Sequence, residues 1–149
     1  MNSDFKDLLQ ALSAREVKFL VVGGYAVIHY SQPRFTKDLD IWLEPSAENA
    51  HRFVQALADF CAPLLDITEQ DFASPGTQYV IGSPPVQVDF LTSLPGLIFA
   101  ECWPAREVVS TDGIVIPYMG RKDLLQAKRT AGRHQDLSDI EEIQRAETS

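Results

Sequence analysis

The segment from Val17 to Leu43 constrains the fold more than any other part of the chain. Val17–Val22 is a short apolar run with β-branched residues, which predicts a buried strand. Gly23-Gly24 interrupts this run, and Tyr25–Tyr30 predicts a short apolar helix. Asp38–Leu43 then predicts a second strand, in which acidic and apolar residues alternate. Strand, glycine turn, helix and strand in this order are typical of a domain that mixes helices with a sheet.

The remainder of the chain adds helices and two hairpins. Amphipathic periodicity predicts helices over residues 3–15, 47–60, 121–131 and 136–145, and turn residues predict hairpins over 79–91 and 108–116. A length of 149 residues with 45% hydrophobic residues suits one compact domain. We therefore expect an α/β or α+β sandwich in a single domain, 1–149. Its mixed β-sheet has about five strands flanked by helices, and a short C-terminal helical segment begins near residue 121.

Charge and cysteine content limit the classes of function. Lys and Arg number 13 against 21 Asp and Glu, a net charge of −8, which argues against general coating of nucleic acid. The two cysteines form no CxxC pattern and predict neither a disulfide framework nor a zinc site. The N-terminus lacks the features of a signal peptide, and no apolar run approaches the roughly 18–20 residues of a membrane span. We expect a soluble cytoplasmic protein that does not contact a membrane.

Three aspartates are the principal candidates for chemistry. Residues two apart on a strand share a face, so Asp38 and Asp40 project together while Leu39 faces the core. Asp89 lies in a later strand, and all three carboxylates meet if that strand pairs beside Asp38–Leu43. Clustered carboxylates repel one another, and a divalent cation with oxygen ligands offsets that repulsion. Solvated acids on a strand surface, or pairing of Asp89 with an arginine, are the structural alternatives.

Two further features suit a phosphate ligand. A strand followed by Gly23-Gly24 and a helix start presents backbone N–H groups to an anion without an intervening side chain. Five of the 13 basic residues also fall within 13 positions near the C-terminus, which suits charge-assisted contacts to phosphates or a solvated helix surface. They are Arg121, Lys122, Lys128, Arg129 and Arg133.

The order of these motifs resembles the DNA polymerase β-like nucleotidyltransferase superfamily. Its pattern is a Gly-Gly or Gly-Ser turn, a helix, an Asp-x-Asp strand and a third acid further on. The chain is most similar to small bacterial proteins related to the AbiEii toxin group, on the segment Arg-Phe-Thr-Lys-Asp-Leu-Asp at 34–40. These relatives also carry a late lysine helix and an Arg-x-x-Asp-Leu-x-Asp motif, here Lys128 and residues 133–139. The turn reads Gly-Gly-Tyr, without the serine that many members place on a phosphate.

The resemblance implies a role for each matching residue. The backbone of Gly23 and Gly24 would hold the triphosphate, and Asp38 and Asp40 would ligate Mg²⁺. Asp89 would be the third metal ligand and the base that takes the acceptor's proton. Lys128 would contact the phosphates or support the acids as a catalytic residue. Arg34, Thr36 and Arg133 would help to bind the nucleotide, and Asp136 is a further residue that matches the motif.

These features lead to a Mg²⁺-dependent nucleotidyltransferase, with one or two ions, that moves a nucleoside monophosphate from an NTP to an acceptor hydroxyl. A catalytically silent nucleotidyltransferase-like binding module or toxin–antitoxin component is the alternative, and a metal-dependent phosphohydrolase is the third reading. The acceptor stays open between an RNA end, a protein side chain and a small molecule. The short segment after Arg121 leaves little room for an acceptor pocket, so a homodimer or a partner protein is expected to complete it.

Overall fold

The computed structural model describes residues 1–60, 62 and 67–148. Seven α-helices and six strands lie along this part of the chain, with one 3₁₀ turn at Trp103–Ala105. The helices are α1 Ser3–Ala14, α2 Gly23–Tyr30, α3 Ala47–Asp59, α4 Glu69–Phe72, α5 Phe99–Cys102, α6 Arg121–Ala131 and α7 His134–Thr148. The strands are β1 Phe19–Val22, β2 Asp38–Leu43, β3 Gln78–Ser83, β4 Val86–Leu91, β5 Glu107–Thr111 and β6 Ile114–Tyr118.

The six strands form one mixed sheet in the order β3-β4-β2-β1-β6-β5. Strand β2 pairs antiparallel with β1 and parallel with β4, so the predicted acids lie on two adjacent strands, β2 and β4. The predicted hairpins are β3–β4 and β5–β6, both antiparallel. The fold class is confirmed, with six strands in place of about five.

Several helices begin or end at residues other than those predicted from hydrophobic periodicity, because backbone geometry determines these boundaries. Helix α2 begins at Gly23 itself, whose positive φ of 66° turns the chain directly from β1 into the helix. Helix α7 runs from His134 to Thr148, longer than predicted at both ends. Helix α5 and the 3₁₀ turn after it were not predicted, since segments of three or four residues are too short to show a period.

One apolar layer of the core lies on the side of the sheet opposite the acids. Leu39 and Ile41 are fully buried, as the alternation along β2 predicts. Phe53 of α3 packs on Phe90 of β4 with ring centroids 4.8 Å apart, so α3 covers this face. Helices α2, α6 and α7 pack against one another, and α2 lies against β1 and β2. None of the helices among the described residues is long and apolar enough to cross a membrane.

Candidate functional site

Parallel pairing of β2 with β4 brings two of the predicted acids into one register. Asp40 is the direct partner of Asp89, and Asp38 is the partner of Gln87 one pleat away. The amide of Gln87 donates a hydrogen bond of 3.1 Å to Oδ1 of Asp89, which fixes that carboxylate's orientation. The sequence predicts that the three carboxylates meet if the strand of Asp89 pairs beside Asp38–Leu43. Strand β4 does pair with β2, and all three carboxylates project from one face of the sheet.

The pKa of Asp40 is strongly raised by its surroundings. Burial raises its pKa first, followed by the charge and hydrogen bond of Asp89 and the charge of Asp38, to about 7. The charge of Lys128 acts in the opposite direction and lowers it. Asp40 therefore lies in a low-dielectric position between like charges, an environment that strongly favours a bound cation.

The glycine turn lies directly against these acids. A Cβ on Gly23 would overlap Oδ2 of Asp40, and Gly23 also has the positive φ that side chains disfavour. A Cβ on Gly24 would overlap Oγ1 of Thr36. Both glycines are thus required by close approach of the segment 34–40 to the first turn of α2.

Gly23→Ala is expected to destabilise the protein more than a matched glycine substitution does. Gly113→Ala is the control, because Gly113 also has a positive φ, 78°, but has open space around its Cβ position. Left-handed strain costs about 1–2 kcal/mol at either site. At Gly23 the displacement of the Asp40 carboxylate adds to it. Urea unfolding measures both losses, and equal losses would show that Asp40 moves aside without cost.

Lys128 is held by two buried carboxylates. Its Nζ lies 3.2 Å from Oδ1 of Asp136 and 3.0 Å from Oδ2 of Asp139, and the three side chains are 11%, 1% and 2% exposed. Burial alone would raise the pKa of Asp136, but hydrogen bonds from Arg133 and Lys128 hold it below its ordinary value. Lys128 therefore links α6 to α7 and, through its charge, also acts on Asp40.

Arg34 of the segment 34–40 and Arg133 of the segment 133–139 differ in how far their side chains are exposed. Arg133 is 77% exposed and its Nε donates to Oδ2 of Asp136 at 2.7 Å, which raises the pKa of the guanidinium. Arg34 is half-buried, its Nη2 lies 3.4 Å from Oδ2 of Asp139, and its Nε is buried without a hydrogen-bond partner among the described residues. Arg34 thus connects the segment before β2 to α7.

One cavity of about 400 Å³ unites most of these groups. Its polar lining includes Asp40, Asp89, Lys128, Arg133 and Asp136, with Gly23 at its edge. Its apolar lining comes from the ends of β1 and β4, the segment 94–95, Met119 and α6. Asp38, Gly24, Arg34 and Thr36 lie outside the lining, and Thr36 and Arg34 pack closely on Gly24.

The donor set fits Mg²⁺ by its chemistry. The three acids offer only oxygen ligands, and Oδ1 of Asp38 is buried without a hydrogen-bond partner among the described residues. In the part of the chain that the structure describes, no three acidic, histidine or cysteine side chains are grouped so that they could hold a metal ion by themselves. Mg²⁺ commonly takes one or two carboxylates and completes its shell with water and phosphate oxygens. An arrangement with the Asp40–Asp89 pair and a bare oxygen on Asp38 matches that preference.

Sequence reasoning did not assign the residues that connect the site. Asp139 stood within the late motif without a role, yet it contacts both Lys128 and Arg34. The spacing in the sequence could have identified it. Asp136 and Asp139 are three residues apart, so they share one face of α7. The wall formed by Gln78 and Leu94-Pro95 was also missed, because a pocket lining carries no motif.

Comparison with known proteins agrees with this geometry. The family described as nucleotidyl transferases of unknown function (DUF2204) matches residues 1–149. A crystal structure from Thermotoga maritima, TM1012, assigned as a nucleotidyltransferase, is 14% identical with a TM-score of 0.63, over 92% of this chain and 88% of that one. The lincomycin-bound lincosamide antibiotic adenylyltransferase LnuA is 13% identical with a TM-score of 0.58, over 97% and 96%. At these identities the two structures share the fold. No curated protein sequence matches the chain.

Proposed function

Because the chain belongs to the family of nucleotidyl transferases of unknown function (DUF2204) along its whole length, we propose that it moves a nucleoside monophosphate from an NTP to an acceptor hydroxyl, with release of pyrophosphate. One observation carries the proposal: Asp40 and Asp89 are paired in register beneath the Gly23 turn and share a cavity with Lys128. Acids, anion-binding backbone and a cation in one cavity are the groups that phosphoryl chemistry uses.

Asp38, Asp40 and Asp89 would hold Mg²⁺, which supplies charge neutralisation for the phosphates when bound. The backbone N–H groups at the start of α2 would hold the triphosphate, with Arg133 at the exposed side of the cavity. The acceptor oxygen forms a bond to the α-phosphorus, and the bond from that phosphorus to the oxygen bridging the β-phosphate breaks. Pyrophosphate leaves with the electron pair, and Asp89 takes the acceptor's proton.

The lysine has a more indirect part than its motif suggests. Since Asp136 and Asp139 already occupy Lys128, we assign it to orienting α6 and α7 and to lowering the negative potential around Asp40. Thr36 and Arg34 pack on Gly24 and so support the glycine turn.

The closer resemblance to AbiEii-related proteins stays part of the proposal, and it rests on the segments 34–40 and 133–139. The acceptor remains an RNA end, a protein side chain or a small molecule. LnuA is an adenylyltransferase, which makes ATP the first nucleotide to test. The cavity of about 400 Å³ has little space beyond a nucleotide, so we expect a second subunit or partner protein to contribute to acceptor binding.

Thermal unfolding with each of the four NTPs, with and without Mg²⁺, tests the nucleotide site. An NTP at 100 times its Kd should stabilise the wild type by about 2.7 kcal/mol. This stabilisation should require Mg²⁺ and disappear in Asp38→Asn, because the bare buried oxygen of Asp38 is then an amide.

Asp112→Asn is the control for that experiment. Asp112 lies in the β5–β6 turn with a positive φ of 53°, a conformation that Asn also tolerates. If no NTP stabilises the wild type, the transferase proposal is wrong and the chain is a silent module. Free phosphate in place of pyrophosphate as the product would identify a phosphohydrolase instead.

A further inference from the structure

Asp139 joins three segments of the chain at one buried carboxylate. Lys128 of α6 contacts its Oδ2 at 3.0 Å, and Arg34 before β2 contacts the same oxygen at 3.4 Å. Gln135, one turn earlier in α7, donates to its Oδ1 at 2.8 Å. A side chain with donors on both oxygens and 2% exposure has one orientation available to it.

The two cations that contact Asp139 lie in different parts of the proposed nucleotide site, Arg34 at the glycine turn and Lys128 in the cavity. Nη2 of Arg34 lies 3.4 Å from the position that a Cβ on Gly24 would take, so the guanidinium packs on the first turn of α2. Lys128 lines the cavity with Asp40 and Asp89. The position of the glycine turn relative to Lys128 therefore depends on one carboxylate that lines neither the cavity nor the turn.

Asp136 has a different set of partners. It also contacts Lys128, but its other partner is the exposed Arg133 at the cavity, with Nε to Oδ2 at 2.7 Å. Among the described residues, the carboxylate partner of Arg34 is Asp139 and not Asp136. The late motif thus contains one acid directed to the cavity and one directed to the glycine turn.

We propose that Asp139 is a positioning residue for triphosphate binding, which holds the glycine turn, through Arg34, in register with Lys128. This inference rests on the proposed function. A misaligned turn weakens contacts to the β- and γ-phosphates, while contacts to the nucleoside and the α-phosphate depend less on it.

Isothermal titration of Asp139→Asn with an NTP and with the matching monophosphate, both with Mg²⁺, tests the proposal. The NTP is the one that stabilises the wild type most. The Kd of the NTP should rise about tenfold or more, while the Kd of the monophosphate changes less than about twofold. Leu12→Ala is the stability control, because Leu12 is a fully buried core residue of α1 and its loss should leave both Kd values unchanged.

Arg34→Gln keeps the test decisive if Asp139→Asn does not fold, because it removes the other end of the same link at a half-buried site. Arg34→Gln should show the same NTP-selective loss. Where Asp139→Asn folds, the double variant should bind no more weakly than either single variant. Equal weakening of NTP and monophosphate, additive losses, or an unchanged NTP Kd would overturn the proposal. A wild type that binds no NTP would instead overturn the proposed function and this inference with it.

Discussion

Asp40→Asn is expected to abolish nucleotide transfer while the fold is retained. The variant removes a carboxylate oxygen from the acid pair, and the loss of one such charge-stabilising group costs about 10²–10³-fold or more in rate. The measurement is release of labelled pyrophosphate from a γ-labelled NTP with Mg²⁺, with a cell extract as the source of acceptor. Asp112→Asn is the matched control and should retain wild-type activity.

The same variant should be more stable than the wild type at alkaline pH when no divalent cation is present. Burial, Asp89 and Asp38 raise the pKa of Asp40 to about 7, against an ordinary value of 3.8. The folded state therefore keeps a proton that the unfolded state has lost, and this contribution to stability disappears as the pH rises through about 7. Asn removes the penalty. A melting temperature for Asp40→Asn below that of the wild type at pH 8 would contradict this account.

Lys128→Met is expected to cause the largest loss of stability among the site variants. It leaves Asp136 and Asp139 buried, with their remaining cations limited to Arg133 and Arg34. Removing one partner of a buried ion pair costs about 3–5 kcal/mol. For a chain of this size the melting temperature should fall by roughly 10 °C or more, measured by circular dichroism.

Lys122→Met provides the comparison on the same helix. Lys122 is exposed on α6, so its replacement should change stability by no more than about 0.5 kcal/mol. If Lys128→Met were as stable as Lys122→Met yet lost NTP binding, Lys128 would be a phosphate ligand and not a link between α6 and α7. The two outcomes separate the structural role from the role expected from its motif.

The residues of β2 illustrate what the sequence could predict. A period of two fixes which side of a strand each residue takes, so the common face of Asp38 and Asp40 follows from local chemistry alone. The pairing of Asp40 with Asp89 does not follow from it, because register between distant strands depends on packing across the whole sheet. The motif order provided the missing information, by resemblance.

Lys128 shows the opposite case. Its place on a basic helix suggested a free cation for phosphates, since local sequence shows charge but not the partners that folding brings to it. The carboxylates that occupy it lie eight and eleven residues later, beyond Gly132, which ends α6 with a positive φ of 65°. The path of the chain after that glycine decides what Lys128 contacts.

The parallel pairing of β2 with β4 also determines when the site can exist during synthesis. A ribosome delivers Asp38 and Asp40 first, Asp89 only after the 42-residue connection 44–85, and Lys128 and Asp139 last. Such non-local contacts form slowly, because the entropy of closing the intervening chain is lost before the pairing compensates for it. A nascent chain therefore lacks the complete cluster of Asp40, Asp89, Lys128 and Asp139 until α7 has docked, and the proposed nucleotide chemistry cannot begin before that point.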